Sequence, residues 1–460
     1  MRRPSNTATY ALGEASGPLW GLATIAAGLA ALTAVGPTLH LSCGGWAPML
    51  VFAASAAGIW LALCIADRTD VRAALLVILC GALSMRLALL FVEPYLSTDV
   101  YRYIWDGRVQ AAGINPYRFV PAAPEVAHLR DAAIFPNINR PDYAVTIYPP
   151  VAQAIFLSVT RILGESVVAM KLGLISFEAL TAVALIGVLR HLGLPLTRVA
   201  IYAWHPLPIW EIAGNGHIDA AMSALLIAGF LLFLRGRTLS AGVVVTLGAL
   251  IKPTALLALP VLWRPWNWRL PLAVVLTIAL AYLPYLSVGS GVLGYLGGYI
   301  QEEGLASGRG FAALYLMEQY TGTVPGAVRV YVALAATIMI AFAVAVAFRS
   351  DRSPGTAVAC LSWLLVVFLV VASPHFPWYF LALVPVLALY PSAAGWVLTL
   401  GGPLLYDSNA HLPWLGYDAR IALLTFASLA ALAFDVWRLR RAHLNFNVGE
   451  THVRAPRQAG

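Results

Sequence analysis

The chain has 460 residues, of which 60% are hydrophobic and only 11% charged, and its mean hydropathy is +0.79. That balance excludes an ordinary soluble multidomain protein, whose surfaces need far more charge. The net charge of +8 does not signal nucleic-acid binding, because the arginines punctuate short loops between apolar runs, the pattern that orients membrane proteins.

Apolar runs at 18–39, 46–66, 71–92, 167–189, 198–213, 217–234, 270–287, 326–348, 355–373, 376–391, 393–407 and 418–438 predict membrane-crossing helices. With a broken pair at 238–263 they predict an all-α, polytopic transmembrane protein of about 12 to 14 membrane segments, forming one domain over 1–442. Residues 443–460 are polar and are expected to form a disordered cytoplasmic tail. The first run is longer than a signal-peptide core and lacks a clear cleavage site, so it is expected to be retained.

Arginine clusters at Arg2/Arg3, Arg68/Arg72, Arg190/Arg198, Arg235/Arg237, Arg264/Arg269, Arg349/Arg352 and Arg438/Arg440/Arg441 alternate with the loops 40–46, 373–376 and 407–417, which hold no lysine or arginine. This alternation predicts a multi-pass protein of the cell (inner) membrane with both termini in the cytoplasm. The long segments 93–166 and 288–325 are then outer-face loops, where function concentrates. Cys43, Cys64, Cys80 and Cys360 show neither metal-ligand nor redox spacing.

Two stretches break the pattern of simple crossings. One crossing at 238–263 would put Arg264/Arg269 outside, so a hairpin-like pair is expected, broken at Lys252-Pro253 because proline lacks an N–H and restricts the residue before it. Lys252 then lies near the outer side. The stretch 149–163 is too short for an ordinary span; Val151, Ile155, Val159 and Ile162 at helical spacing, with Pro150 in the first turn, predict an amphipathic helix in the outer interface.

The densest polar stretch is Leu96–Tyr117, where Asp99, Arg102, Asp106 and Arg108 interleave with Tyr101, Tyr103 and Trp105. As a helix it carries Asp99, Arg102 and Asp106 on one face, and Gly113 with Asn115-Pro116 punctuates its end. Carboxylate, guanidinium and aromatic groups together suit sugar and phosphate handling. The same residues also suit an interfacial loop whose charges pair among themselves and whose rings form a belt.

This stretch resembles the first outer loop of GT-C glycosyltransferases, the membrane enzymes that use polyprenyl-phosphate-linked sugars, and is most similar to family 87 and related mannosyltransferases. The likeness rests on Gly113-Ile114-Asn115-Pro116-Tyr117, Tyr148-Pro149-Pro150, Trp204-His205-Pro206, Asn215-Gly216-His217-Ile218-Asp219 and Lys252-Pro253. It implies an inverting hexosyl transfer, with mannose favoured, from a polyprenyl-phosphate donor to a glycolipid or polysaccharide acceptor at the outer (periplasmic) face. Asp99 takes the role of general base. Lys252, Arg102, Arg309 and His375 are the candidates for holding the leaving phosphate. Asp106, Arg108, Trp105, Asn115, Tyr117 and Tyr148 are candidates for the sugar or acceptor. No cofactor is implied and no metal-ligand cluster stands out. Three spans precede the loop where many relatives have one; both numbers are odd, so Asp99 stays outside, but helices do not align one to one.

Glu211, Asn215, His217 and Asp219 form a second polar group, expected to face a cavity and bind acceptor or sugar, or else to lock a helical hairpin. The chain has 29 basic residues but only two lysines, Lys171 and Lys252, both in apolar stretches. Lys171 is expected to snorkel; the proline beside Lys252 favours phosphate contact. Arg86 is expected to make an intramembrane ion pair or to snorkel, with Glu93 a helical neighbour. A lipid or lipid-linked-sugar transporter is the alternative reading, opposed by the absence of a paired repeat and by the gathering of polar residues at one face.

Overall fold

The computed structural model describes residues 16–43, 46–322, 324–406 and 415–450. The Arg2/Arg3 pair, most of the 407–417 loop and residues 451–460 lie outside them. The described residues are helical, without strands. Among the described residues, eight helices are long and apolar enough to cross a membrane: Pro18–Leu39, Pro48–Ala66, Val71–Leu90, Val167–His191, Arg269–Glu302, Ala327–Ala347, Pro354–Ala372 and Tyr417–Arg441.

The remaining expected crossings are short or broken, so the described residues do not supply 12 to 14 continuous membrane helices. Prolines are the reason. Pro206 and Pro208 leave 196–214 as a run of short turns. Pro253 divides 238–262, and Pro391 and Pro403 interrupt 377–405. The expected outer loop from 288 begins instead as a continuation of the preceding helix, through tight turns at Leu283–Leu293, and contains helices Leu296–Glu302 and Ala312–Thr321. The final helix runs to Glu450, into the stretch expected to be a disordered tail; no proline interrupts the sequence from 417 to 450.

α1 (Ser16–Cys43) packs against α2 (Trp46–Ala66) and α3 (Val71–Leu90), and α6 (Val167–His191) packs against the helix Asp219–Leu234. Between them, every residue from 199 to 224 is buried. Buried polar groups clamp these layers. The Arg86 guanidinium meets Glu178 at 2.7 Å and also donates to the Ala203 carbonyl, whereas Glu93 accepts from Tyr101. Lys171 does not snorkel: it is fully buried and donates to the Leu89 and Val92 carbonyls at the C-terminal end of α3.

α4 (Asp99–Ala111) and α5 (Pro150–Leu163) are the helices read from the sequence. α4 begins with an acidic residue, ends with Arg108 in its last turn, and stops before Gly113 at φ +78°. Its backbone approaches α5 closely at Gly107, where a Cβ would meet Thr160 Oγ1 at 2.2 Å. Of the four spaced apolar residues of α5, Val159 is buried and Val151 and Ile155 are partly buried. Ala152, Gln153, Phe156, Val159 and Thr160 point inward, while Ile162 is exposed. The polar Gln153 turns in because Asp106 and Thr146 accept its amide protons.

Candidate active site

Five segments far apart in sequence (94–102, 139–149, 251–254, 282–303 and 376–379) surround a cavity of about 730 Å³, a size usual for small-molecule sites. Asp99 stands on its wall in the first turn of α4, half-buried. Asn139 Nδ2 donates to Asp99 Oδ1 at 2.7 Å, and the Tyr148 hydroxyl lies 3.3 Å from Oδ2. The helix N-terminus adds a partial positive charge. Burial first, and the Asp99 charge second, push the Tyr148 phenol well above its ordinary value, so Tyr148 remains a donor.

Three cations line the same cavity. Arg102 is paired to Asp106 at 2.8 Å and donates to the Ala144 carbonyl. Arg140, at a left-handed φ of +53°, pairs with Glu302 at 2.5 Å; that backbone costs on the order of 1–2 kcal/mol for a non-glycine residue. Lys252 sits at the break between the helix Thr238–Ala249 and the turn beginning at Pro253, in extended conformation. Its ammonium lies 2.7 Å from Asp219 and 4.7 Å from the centre of the Tyr379 ring. Tyr148, Tyr299, Phe376, Trp378 and Tyr379 complete an aromatic lining.

The residues singled out in the sequence divide sharply. Asp99, Arg102, Tyr148 and Lys252 line the cavity. Asp106, expected to touch sugar or acceptor, is buried and held by Arg102 and Gln153. Arg108 is committed to Asp131 at 2.6 Å, Glu165 at 2.7 Å and the Leu129 carbonyl. Trp105 is buried against Phe135. Asn115 ties the α4 exit to the Tyr285 carbonyl and Ser287, and Tyr117 donates to the Tyr148 carbonyl. None of these five lines the cavity: the polar atoms of Asp106, Arg108, Asn115 and Tyr117 are directed to protein partners, and Trp105 is buried.

The second polar group lies behind the cavity. Glu211 and His217 are fully buried, 3.3 Å apart, and Tyr406 bonds Glu211. His217 stacks at 4.2 Å on Trp378, which stacks at 4.4 Å on Phe376. Asn215 accepts the Leu96 N–H and donates to the Trp210 carbonyl, locking the chain that leads into α4. Asp219 reaches the cavity only through Lys252. His375 does not line the cavity, and burial lowers its pKa, leaving a neutral imidazole at pH 7. Arg309 is exposed and paired to Glu318.

Asn139, Arg140, Tyr299, Glu303, Phe376, Trp378 and Tyr379 line the cavity without having been chosen as candidates. The Glu302-Glu303 pair in so apolar a chain was a usable signal. The left-handed turn at Arg140 had none, since arginine carries no preference for it.

Among the described residues, membrane-length helices accompany a cavity whose half-buried carboxylate, cations and aromatic rings suit a polar, charged ligand. The model of the family described as alpha-(1->6)-mannopyranosyltransferase, N-terminal domain, matches residues 21–268, more than half of the chain, which belongs to that family. The chain is 30% identical over 187 residues to alpha-(1->6)-mannopyranosyltransferase A of Mycobacterium tuberculosis, covering 39% of this chain and 34% of that one. It is 28% identical over 188 residues to alpha-(1->6)-mannopyranosyltransferase A of Corynebacterium glutamicum, covering 39% and 37%. The chain thus spans about a third of the length of the curated relatives it matches. No solved structure matches it.

Proposed function

We propose that this protein is a multi-pass membrane mannosyltransferase that moves mannose from a polyprenyl-phosphate donor to a hydroxyl of a cell-envelope glycolipid or polysaccharide, at the outer face of the cell membrane. The observation that carries this reading is the placement of Asp99, with its two side-chain donors, in the same cavity as Lys252 and Arg102. Family membership supports the mannosyl group, and the resemblance of the 96–117 loop supports the lipid-linked donor.

In the proposed single displacement, Asp99 accepts the proton of the acceptor hydroxyl as its oxygen attacks the anomeric carbon. The bond from that carbon to the phosphate oxygen breaks, its electron pair leaves with polyprenyl phosphate, and the anomeric configuration inverts. Asn139 and Tyr148 hold the carboxylate in place. Lys252 and Arg102 face the charge that grows on the leaving phosphate. The arginine loops favour both termini in the cytoplasm, with a broken pair of crossings at 238–263; labelling of Asn267→Cys by an impermeant reagent on intact cells would overturn that paired crossing. Transport as the alternative draws no support from relatives whose names are those of transferases.

The test is transfer of radiolabelled mannose from polyprenyl-phosphate mannose by purified wild type and Asp99→Asn, in membranes supplying native acceptors. Loss of a general base lowers the rate by about 10²–10⁴-fold, with polyprenyl-phosphate binding retained. Transfer by Asp99→Asn at the wild-type rate sinks the assignment.

A further inference from the structure

The charges around the cavity are unevenly distributed. Arg102 and Lys252 are each matched by one buried carboxylate, Asp106 and Asp219. Around the wall built from 139–140 and 295–303, Asp99 and Glu303 on the cavity lining, and Glu302, which is not part of it, place three carboxylates about the Arg140 guanidinium. Arg140 is committed to Glu302, which also accepts from Tyr295 at 2.6 Å. Glu303 is half-buried on the cavity lining. Tyr299 lines the cavity with it, and the Tyr299 hydroxyl is bonded to that of Tyr379.

A phosphate brought to this wall meets like charge at short range, which is unfavourable in a partly dehydrated cavity. A neutral sugar meets the opposite. Its hydroxyls are donors, a carboxylate offers about four acceptor sites, and Tyr295 and Tyr299 line the same cavity.

We propose that Glu303, on the wall it shares with Arg140, Tyr295 and Tyr299, is a hydroxyl-binding residue for a neutral hexose unit, set apart from the phosphate-holding side at Lys252. The proposal rests on the reading of this cavity as a glycosyl-transfer site. The Tyr299–Tyr379 bond joins the two sides, since Tyr379 also lies under the Lys252 ammonium. The acceptor's sugar and the donor's mannose share this chemistry, and the experiment separates them.

Equilibrium binding to the full-length protein in nanodiscs is measured with three probes: octyl α-D-mannopyranoside, a polyprenyl monophosphate without sugar, and polyprenyl-phosphate mannose. Glu303→Gln keeps the shape but gives up the carboxylate, and is expected to weaken a sugar-bearing probe about tenfold or more. Binding of the bare polyprenyl monophosphate stays within about twofold, which also reports an intact fold. Lys252→Met does the reverse, weakening the monophosphate and sparing the mannoside. A loss confined to the mannoside assigns the wall to the acceptor; a loss confined to polyprenyl-phosphate mannose assigns it to the donor sugar. The proposal is overturned if Glu303→Gln alters no sugar-bearing probe, if it weakens the bare monophosphate equally, or if wild type binds neither sugar probe. Failure of wild type to bind the monophosphate or to transfer mannose, with mannoside binding still dependent on Glu303, counts against the transferase reading alone.

Discussion

Lys252 Nζ lies 2.7 Å from Asp219 Oδ2, joining the break in the 238–262 segment to the first turn of the helix Asp219–Leu234. Only 13% of the Lys252 side chain and 1% of the Asp219 side chain are exposed. Removing one member of a buried pair leaves an uncompensated charge and costs about 3–5 kcal/mol. Asp219→Asn and Lys252→Met are each expected to destabilise the protein on that scale. The double variant should lose clearly less than the two losses summed, as read by thermal unfolding in detergent. Simple additivity would show that the pair does not act as a unit.

Tyr148→Phe tests the support of Asp99. The variant keeps the ring that packs at 4.9 Å against Tyr103 and removes the hydroxyl near Asp99. A fall in kcat of about tenfold, matching the loss of one hydrogen bond to a charged group, is expected with little change in KM. Because the Tyr148 phenol is pushed well above its ordinary value, the alkaline side of the wild-type rate profile up to about pH 9 should not report its ionisation. A basic limb that vanishes in Tyr148→Phe would contradict this.

Arg108 ties α4 to the 129–131 loop and to Glu165 ahead of α6. Arg108→Met should cost about 1–3 kcal/mol and open residues 113–148 to limited proteolysis, while leaving Asp99 in place on the first turn. Burial alone would raise the Asp131 carboxyl, but the hydrogen bonds from Arg108 and the Ile134 N–H hold it below its ordinary value. The stabilisation is therefore full above the unfolded carboxylate range near pH 4 and disappears as pH falls through the lower folded value. Acid unfolding of wild type should steepen below pH 4, and Arg108→Met should lose part of that dependence. An unchanged acid profile would dissociate Asp131 from stability.

Gly294 is the point at which the 283–303 segment meets the loop before α5. Its φ is +58°, and a Cβ there would stand 1.9 Å from the Thr146 carbonyl oxygen, which accepts the Tyr295 N–H. Gly294→Ala is expected to release this segment, seen as faster proteolysis within 285–303 and a loss of transfer of at least about tenfold, with little change in global unfolding. Wild-type protection of the segment would refute the role given to this contact.

Much of the architecture was legible locally. Hydropathy marks the membrane-length helices, Gly113 ends α4, Pro150 opens α5, and Pro253 breaks the chain at Lys252. Each of these depends on backbone sterics or transfer energy acting within a few residues. The roles of the polar residues were not legible in that way. Asp99 and Asp106 sit two turns apart on one helix, yet Asn139 and Tyr148 hold Asp99 at the cavity, while Arg102 and Gln153 bury Asp106. Arg108 looked as suited to substrate as Arg102 until Asp131 and Glu165 closed around it. Arg140, Glu303 and Trp378 reach the cavity only because segments more than 70 residues apart in the chain converge there. A charged side chain in an apolar protein must find a partner, and its type declares that need. Which partner it finds depends on long-range packing, so the tertiary structure alone decided which charges were consumed within the protein and which were left facing the cavity.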